Sequence, residues 1–481
     1  MISVLTDPIF RVRKLDGTSA RVGLKELIQN AHAYSDLLGR TPTGRCAVMR
    51  LCIAFLEDMI RPEDPDARRD LFEEGKFDST LLDRYIAECE KDGPRFLLDD
   101  PKHPFMQMPF DSELDAKAEK PIAALVMDFA SGNNHIHLDH RMETEHELDA
   151  VDAFEAMLET YLFCPAGTAG PSNINNTPPV YFLIRGRNLF ETLVLNMVSA
   201  GDGEELQNVP FGADLVPWRN STVIRPRDTV AEMEFLRAFT WQPRRVTVNF
   251  NEEGKARTCY LQPGLDFRGD GRWRDPHVAA FRKKDDTWGI LRPETGRQIW
   301  RNVGNLLAGK RESLIRPVTV ANCSSIWENR EDSVVQIEAI GLQTNQAACL
   351  GWTQETLRLP EAFLQDAEKA DAFRNCVNIC EEIVGKMAST ISKELDRQTS
   401  EQTCAQFLQQ MHDELFDRTM DRILNWEEGW QTAFADAVQK SVKDVLNQVV
   451  NRSGFSVEML KAQGRAAGYL MGFVNKTLKG W

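Results

Sequence analysis

Hydrophobic and polar positions fall into two regimes along the 481-residue chain. Up to about residue 360 the apolar runs are short and broken by turn residues; beyond Leu359-Pro360 they recur at helical spacing. Near the start, Ile9-Phe-Arg-Val12 and Ala20-Arg-Val22 flank Asp16-Gly17. Asp-Gly tolerates positive φ, so this segment predicts a hairpin. Val48, Leu51, Phe55 and Met59 predict a helix over 42–60, followed by a Pro- and Asp-rich break over 61–70. The apolar run Ile122–Met127 predicts a buried strand. Thr144-x-x-Glu147 has the form of a capping box, opening a helix that aligns Leu148, Val151, Phe154, Leu158 and Leu162. Residues 163–179 hold too many Gly, Ala, Asn and Pro residues for helix or strand and predict a slim loop. Val246–Phe250, Val318–Val320 and Val334–Ile340 read as strands.

The second regime carries four apolar stripes. They are Phe373, Cys376, Cys380, Val384, Met387 and Ile391; then Phe407, Met411 and Leu415; then Trp426, Trp430, Phe434, Val438, Val442, Val445 and Val449; then Val457, Leu460, Leu470 and Phe473. Four amphipathic stretches with short breaks, the last break at Asn451–Gly454, predict a four-helix bundle. The fold class expected is α+β: a mixed α/β domain over 1–362, then the bundle over 363–481. Residues show no repeat and no low-complexity tract.

The composition, with 42% apolar and 27% charged residues, is that of a globular chain. It holds no apolar run long enough to span a membrane. Met1–Pro8 lacks the basic start and apolar core of a signal peptide, and ten scattered Cys do not suggest a disulfide framework. The expectation is a cytoplasmic protein with reduced thiols. A net charge of −15 argues against a nucleic-acid partner until its distribution is considered. Residues 221–320 hold 19 Lys/Arg against 12 Asp/Glu, and residues 440–481 hold 7 against 2. Local basic stretches can bind polyphosphate in an acidic chain.

His135-Ile-His137-Leu-Asp139-His140 has the H-x-H-x-D-H form of binuclear zinc hydrolases, so a zinc-dependent hydrolase is one reading. The remaining ligands of such a site are missing from their usual spacing, since only His277 and His412 follow His146. Cys376-x-x-x-Cys380 has no further ligands at motif spacing and reads as a core stripe. No phosphate-loop, dinucleotide or nucleophile-elbow motif occurs. No catalytic constellation, metal site or cofactor is therefore expected. The loop around Gly167-Thr-Ala-Gly170 leaves room for the close approach of another polymer, and the amides of Asn345-Gln346 suit base edges; a plain connection and a polar turn are the alternatives.

Four segments in order, His103-Pro-Phe-Met-Gln107, Arg185-Gly-Arg-Asn-Leu-Phe190 with Leu195-Asn196, Phe239-Thr-Trp-Gln-Pro243 and Asn345-Gln-Ala347, together with the domain layout, make the chain resemble the CasA family, the large subunits of the type I-E CRISPR surveillance complex Cascade. The resemblance implies a non-catalytic subunit. Such subunits recognise the protospacer-adjacent motif (PAM) in double-stranded DNA, help open the duplex for R-loop formation, and present a surface to a recruited helicase-nuclease. By the same resemblance, Gly167, Thr168, Ala169 and Gly170 match a minor-groove glycine loop, and Asn345, Gln346 and Ala347 match a glutamine wedge. A basic finger falls near 262–268, at Gln262 or Arg268, of which Arg268 is the choice. Asn133, Asn134, His135, Ile136 and His137 match a loop touching the guide RNA end and a neighbouring subunit. The partners implied are the DNA target, the guide RNA, the other Cascade subunits and the helicase-nuclease, with no membrane. The chain departs from the family in its Thr168 and Ala169, in the absence of a finger Lys, and in Ile9-Phe10 where a Trp is expected. A purely structural subunit that never touches DNA is the third reading.

Overall fold

Asp16-Gly17 closes a hairpin between β1 (Phe10–Lys14) and β2 (Ser19–Val22). Gly17 takes φ +86°, and Asp16 Oδ1 accepts from the Thr18 backbone N–H at 2.8 Å, so the turn residues act as their chemistry dictates. β3 (Tyr34–Leu38) adds antiparallel to β1. The computed structural model describes residues 1–127, 129, 145–164, 174, 178–199, 202, 212, 216–268, 273–283, 287–309, 314–327, 334–345, 348–452, 456–479 and 481.

Helix α1 (Pro42–Met59) begins with Thr41 accepting from the Gly44 N–H, with Pro42 at its first position. Seventeen of its residues are buried, not only the predicted stripe. Its charged residues Arg45, Arg50, Glu57 and Asp58 are therefore interior and must be satisfied there. The predicted 61–70 break is shorter than expected: Asp64 caps and Pro65 starts a helix running to Glu74. Ile122–Leu125 is a 3₁₀ turn rather than a strand. It follows Pro121 and packs on α2 (Ala150–Leu162), where the Thr160 hydroxyl donates to the Leu125 carbonyl at 3.0 Å. Asp149, not Thr144, caps α2; Thr144 lies outside the described residues.

The strands β4 (Val180–Arg185), β5 (Arg244–Phe250) and β6 (Lys255–Pro263) surround this helical core. Val318–Val320 is the first turn of α3 (Val318–Trp327) instead of a strand. Pro317 precedes it and its carbonyl accepts from Ala321 N–H at 2.9 Å. Burial of a helix overrides the β preference of Val-Thr-Val here. The long strands β7 (Val334–Asn345) and β8 (Ala348–Pro360) form a hairpin, and β7 also pairs antiparallel with β4 in the sheet order β8-β7-β4.

The chain divides into two compact units, residues 1–299 with 311–359, and residues 300–310 with 360–481. The first is mixed helix and sheet. The second is helical: α4 (Ala367–Glu394), α5 (Arg397–Glu414), α6 (Trp430–Arg452) and α7 (Val457–Thr477) pack in a ring, each against the next and the last against the first. This is the expected bundle. Phe373, Met387, Phe407, Phe434, Val438 and Leu470 are fully or nearly fully buried, each contributing about 1.5–3 kcal/mol of apolar burial. The stripe of α7 is corrected: Val457 and Leu460 are 67% and 43% exposed, and Ala462, Ala466, Leu470 and Val474 face the core. Segment 300–310 is sewn to the bundle by the buried Arg374, which donates to the carbonyls of Gly304 (3.2 Å) and Ala308 (2.9 Å).

Among the described residues no helix is long and apolar enough to cross a membrane. The ten Cys are free thiols, nine of them buried and Cys349 half-buried.

Candidate nucleic-acid interface

The slim loop predicted over 163–179 joins α2 to β4. The register of β4 on β7 fixes where it ends. Val180, the first strand residue after the loop, stands opposite Gly341, and β7 continues four residues beyond that pair to Asn345. At about 3.3 Å per residue this extension reaches about 13 Å past the end of β4. The hairpin tip and the C-terminal root of the loop therefore leave the same end of one sheet.

Two buried polar networks hold this end in place. In the first, Glu338 of β7, 2% exposed, accepts from Arg45 of α1, from Arg185 of β4 at 3.2 Å and from Gln354 of β8 at 2.5 Å. Arg45 and Arg185 also meet Asp36 of β3, at 3.2 and 2.8 Å. Burial opposes the ionised Glu338 carboxylate, but the guanidinium charges outweigh it and hold the acid below its ordinary range. In the second, Arg50 of α1 forks onto both oxygens of Asp275 at 2.9 and 2.7 Å and lies over the Tyr181 and Phe239 rings, at 4.7 and 4.0 Å. Tyr181 is the second residue of β4, so this stack pins the strand where the loop enters it. His277 completes the network, its Nδ1 2.7 Å from Arg50 and its Nε2 2.9 Å from the Asn196 carbonyl. Burial, with the Arg50 charge adding to it, pushes the His277 imidazole down to about 4. Both ring nitrogens are engaged in the core, which removes His277 as the distant ligand an H-x-H-x-D-H zinc site needs.

The candidate residues divide as follows. Asn345 is exposed at the end of β7, and the Gln343 amide donates to Thr353 Oγ1 across the hairpin at 2.6 Å. Gln346 and Ala347 lie outside the described residues, as do Gly167, Thr168, Ala169 and Gly170. The same holds for Asn133, Asn134, His135, Ile136 and His137, and for Asp139 and His140. Ile174 is the described residue within 165–177, and it packs, as Phe267 does, on a cluster of Val230, Trp241 and Leu265. Arg268 follows Phe267 directly. Its backbone N–H donates to Val230 at 2.9 Å, while its guanidinium is 71% exposed and meets Asp266 at 2.6 Å. An exposed pair of this kind binds weakly, so the side chain can exchange partners. Gln262, the other aligned position, donates inward to the Leu114 carbonyl (2.9 Å) and to Asp115 (2.6 Å). The loop root and Arg268 thus share one apolar support.

The basic window needs correction. Arg245 is 1% exposed and pairs with Asp115 through two nitrogens, at 3.0 and 2.8 Å. Arg244 is 6% exposed. Neither can track phosphates; Arg225, Arg227, Arg282 and Lys283 are exposed. The sequence reading also passed over Leu350 and Trp352, which stand 47% and 41% exposed on alternate positions of β8 near the tip. Their i, i+2 spacing on an outer strand was the available signal.

The chain matches the family described as CRISPR-associated protein Cse1 over residues 4–453. A CasA/Cse1 protein of Thermus thermophilus is 26% identical over 376 residues, which cover 75% of this chain and 72% of the relative. The solved Thermus thermophilus CasA superposes with a TM-score of 0.78 at 20% identity, covering 98% of this chain and all of its own. Cse1 from Acidimicrobium ferrooxidans gives 0.79 at 18% identity, with 99% and 98% covered. A chain from a CRISPR RNA-guided surveillance complex gives 0.75 at 18% identity, with 98% and 99% covered. With the family match running through residues 4–453, well over half of the chain, the chain belongs to the CRISPR-associated Cse1 family, the CasA proteins.

Proposed function

We propose that the chain is the non-catalytic large subunit of a cytoplasmic type I-E Cascade, recognising the PAM in double-stranded DNA and helping to open the duplex. Family membership supports the assignment to the complex. The observation that carries the DNA reading is the shared exit of the 163–179 loop and the β7–β8 hairpin from one sheet end, with Arg268 beside the loop's anchor. In this reading residues 167–170 lie in the minor groove, where little side-chain bulk permits close approach and A·T is told from G·C chiefly by groove width and one amino group. Asn345, Gln346 and Ala347 insert beside the first base pair to open. Opening one step costs a few kcal/mol, and an inserted tip keeps the gap from closing. Strand exchange with a guide is nearly balanced in energy, so a local push at its start decides whether it proceeds. The loop at 133–137 contacts the guide RNA end and a neighbouring subunit, and the domain over 363–481 serves as a docking body for other subunits and for the helicase-nuclease.

The test is the Asn345→Ala/Gln346→Ala pair in the assembled complex. R-loop formation on a duplex target is expected to fall at least tenfold, while binding to a target already unwound at the first pairs is unchanged. Equal loss on both targets would remove the wedge role. Crosslinking from residues 167–170 to duplex DNA separates this function from that of a purely structural subunit.

A further inference from the structure

A second basic feature lies in the first unit, next to the Leu265 cluster on which Ile174 packs. His103-Pro-Phe-Met-Gln107 and Phe239-Thr-Trp-Gln-Pro243 converge on a cleft lined by Arg95, Lys102, His103 and Arg237, with Ser221 and Thr222 along its rim. Among the described residues no carboxylate lines it. Arg95 is 8% exposed, and its Nε and Nη1 are buried with no hydrogen-bond partner among the described residues. A guanidinium in that state costs several kcal/mol unless something supplies acceptors. The nearby acids are spent on backbone: Glu90 accepts from the Arg95 N–H at 3.2 Å, and Asp100 accepts from the N–H groups of Lys102 and His103 at 2.8 and 2.6 Å. Burial chiefly, and then the Arg95 charge, lower the His103 imidazole against the opposing charge of Asp100.

We propose that this cleft binds a phosphoryl anion. A buried guanidinium short of acceptors, flanked by an ammonium, a second guanidinium and hydroxyls, suits a phosphoryl dianion better than a singly charged carboxylate. The anion supplies an acceptor to Arg95, and its charge answers Lys102 and Arg237. The inference goes beyond the opening of DNA at the hairpin and does not depend on it.

The experiment is calorimetric titration of the full chain with inorganic phosphate at constant ionic strength set with sodium chloride. One saturable site is expected. Affinity should fall at least tenfold in Arg95→Met and severalfold in Lys102→Ala and Arg237→Gln. Lys102 is exposed and Arg237 half-buried, so these two variants keep the test open even where Arg95→Met fails to fold. No saturable phosphate site, equal binding of acetate, or unchanged affinity in Lys102→Ala and Arg237→Gln overturns the proposal. Pentathymidylate with and without a 5′-phosphate identifies the source. Competition by both strands upholds the site as a seat for strand phosphates, by the phosphorylated one alone as a seat for a terminal phosphate, and by neither as a seat for free phosphate.

Discussion

Glu338→Gln tests whether the buried network at the hairpin base holds that end of the sheet. The ring contains two guanidiniums, Arg45 and Arg185, and two carboxylates, Asp36 and Glu338, so its charges balance. The substitution keeps the shape of the side chain and removes one charge where Glu338 is 2% and Arg45 6% exposed. It leaves an uncompensated buried cation, for which the expected loss is about 3–5 kcal/mol. Urea unfolding followed by tryptophan fluorescence measures it, with Arg45→Gln and the double variant completing a cycle. The coupling between the two sites is expected to exceed about 1 kcal/mol. The pH dependence gives a second readout. The folded-state pKa of Glu338 lies below its unfolded value near 4.5, so its contribution is present above that pH and is lost as pH falls through the folded value. The gap between wild type and Glu338→Gln should therefore narrow below pH 4.5. A loss under about 1 kcal/mol at pH 7, with an additive double variant, would refute the reasoning.

Two further outcomes are expected. Glu57 is fully buried and burial lifts its pKa to about 8, so its stabilising protonated form is complete below pH 4.5 and lost as pH rises through 8. Glu57→Gln should equal or fall short of wild type at pH 5 and exceed it at pH 9, by a few kcal/mol of crossing on the alkaline side, as read from thermal unfolding scans. On α7, Leu470→Ala should cost about 2–5 kcal/mol, whereas Leu460→Ala should stay within about 0.5 kcal/mol; equal losses in urea would show that the helix face is assigned wrongly.

Periodicity and turn chemistry made the bundle helices, the opening hairpin and some of the strands legible. The Phe373–Ile391 stripe, the Asp16-Gly17 turn and the Val334–Ile340 run all lie where their spacing puts them. Periodicity misled where a segment's local preference opposed its burial, as at Val318–Val320. It also misled on α7, where small Ala462 and Ala466 carry the core face and larger Val457 and Leu460 face outward. The partners of buried charges were not legible at all. Arg50 meets Asp275 across 225 residues and Glu338 gathers Arg45 and Arg185 from two other elements, and no local pattern encodes such pairings.

Of the four segments that carry the resemblance, only Asn345-Gln-Ala347 belongs to the proposed wedge; the other three hold amides buried in the core. Gln107 donates to the Leu98 carbonyl and accepts from Val248 N–H, both at 2.8 Å. Asn196 accepts from the Ile184 N–H at 2.9 Å and returns its amide to the Ile184 carbonyl at 2.7 Å. Gln242 donates to Met106, whose backbone sits at φ +58° and also receives the Tyr161 hydroxyl. Each is a buried polar side chain closing a backbone gap that no other residue type of that length could close, and replacing one would strand a carbonyl or an N–H at about 1–3 kcal/mol. The contacts proposed for 167–170 and 345–347 would answer instead to what those residues read, as binding residues on connecting segments do. That difference separates the core amides of Gln107, Asn196 and Gln242, each fixed by a backbone partner, from the residues proposed to contact DNA. It also directs a search for altered motif preference to the loop and to Arg268 rather than to the conspicuous glutamines of the core.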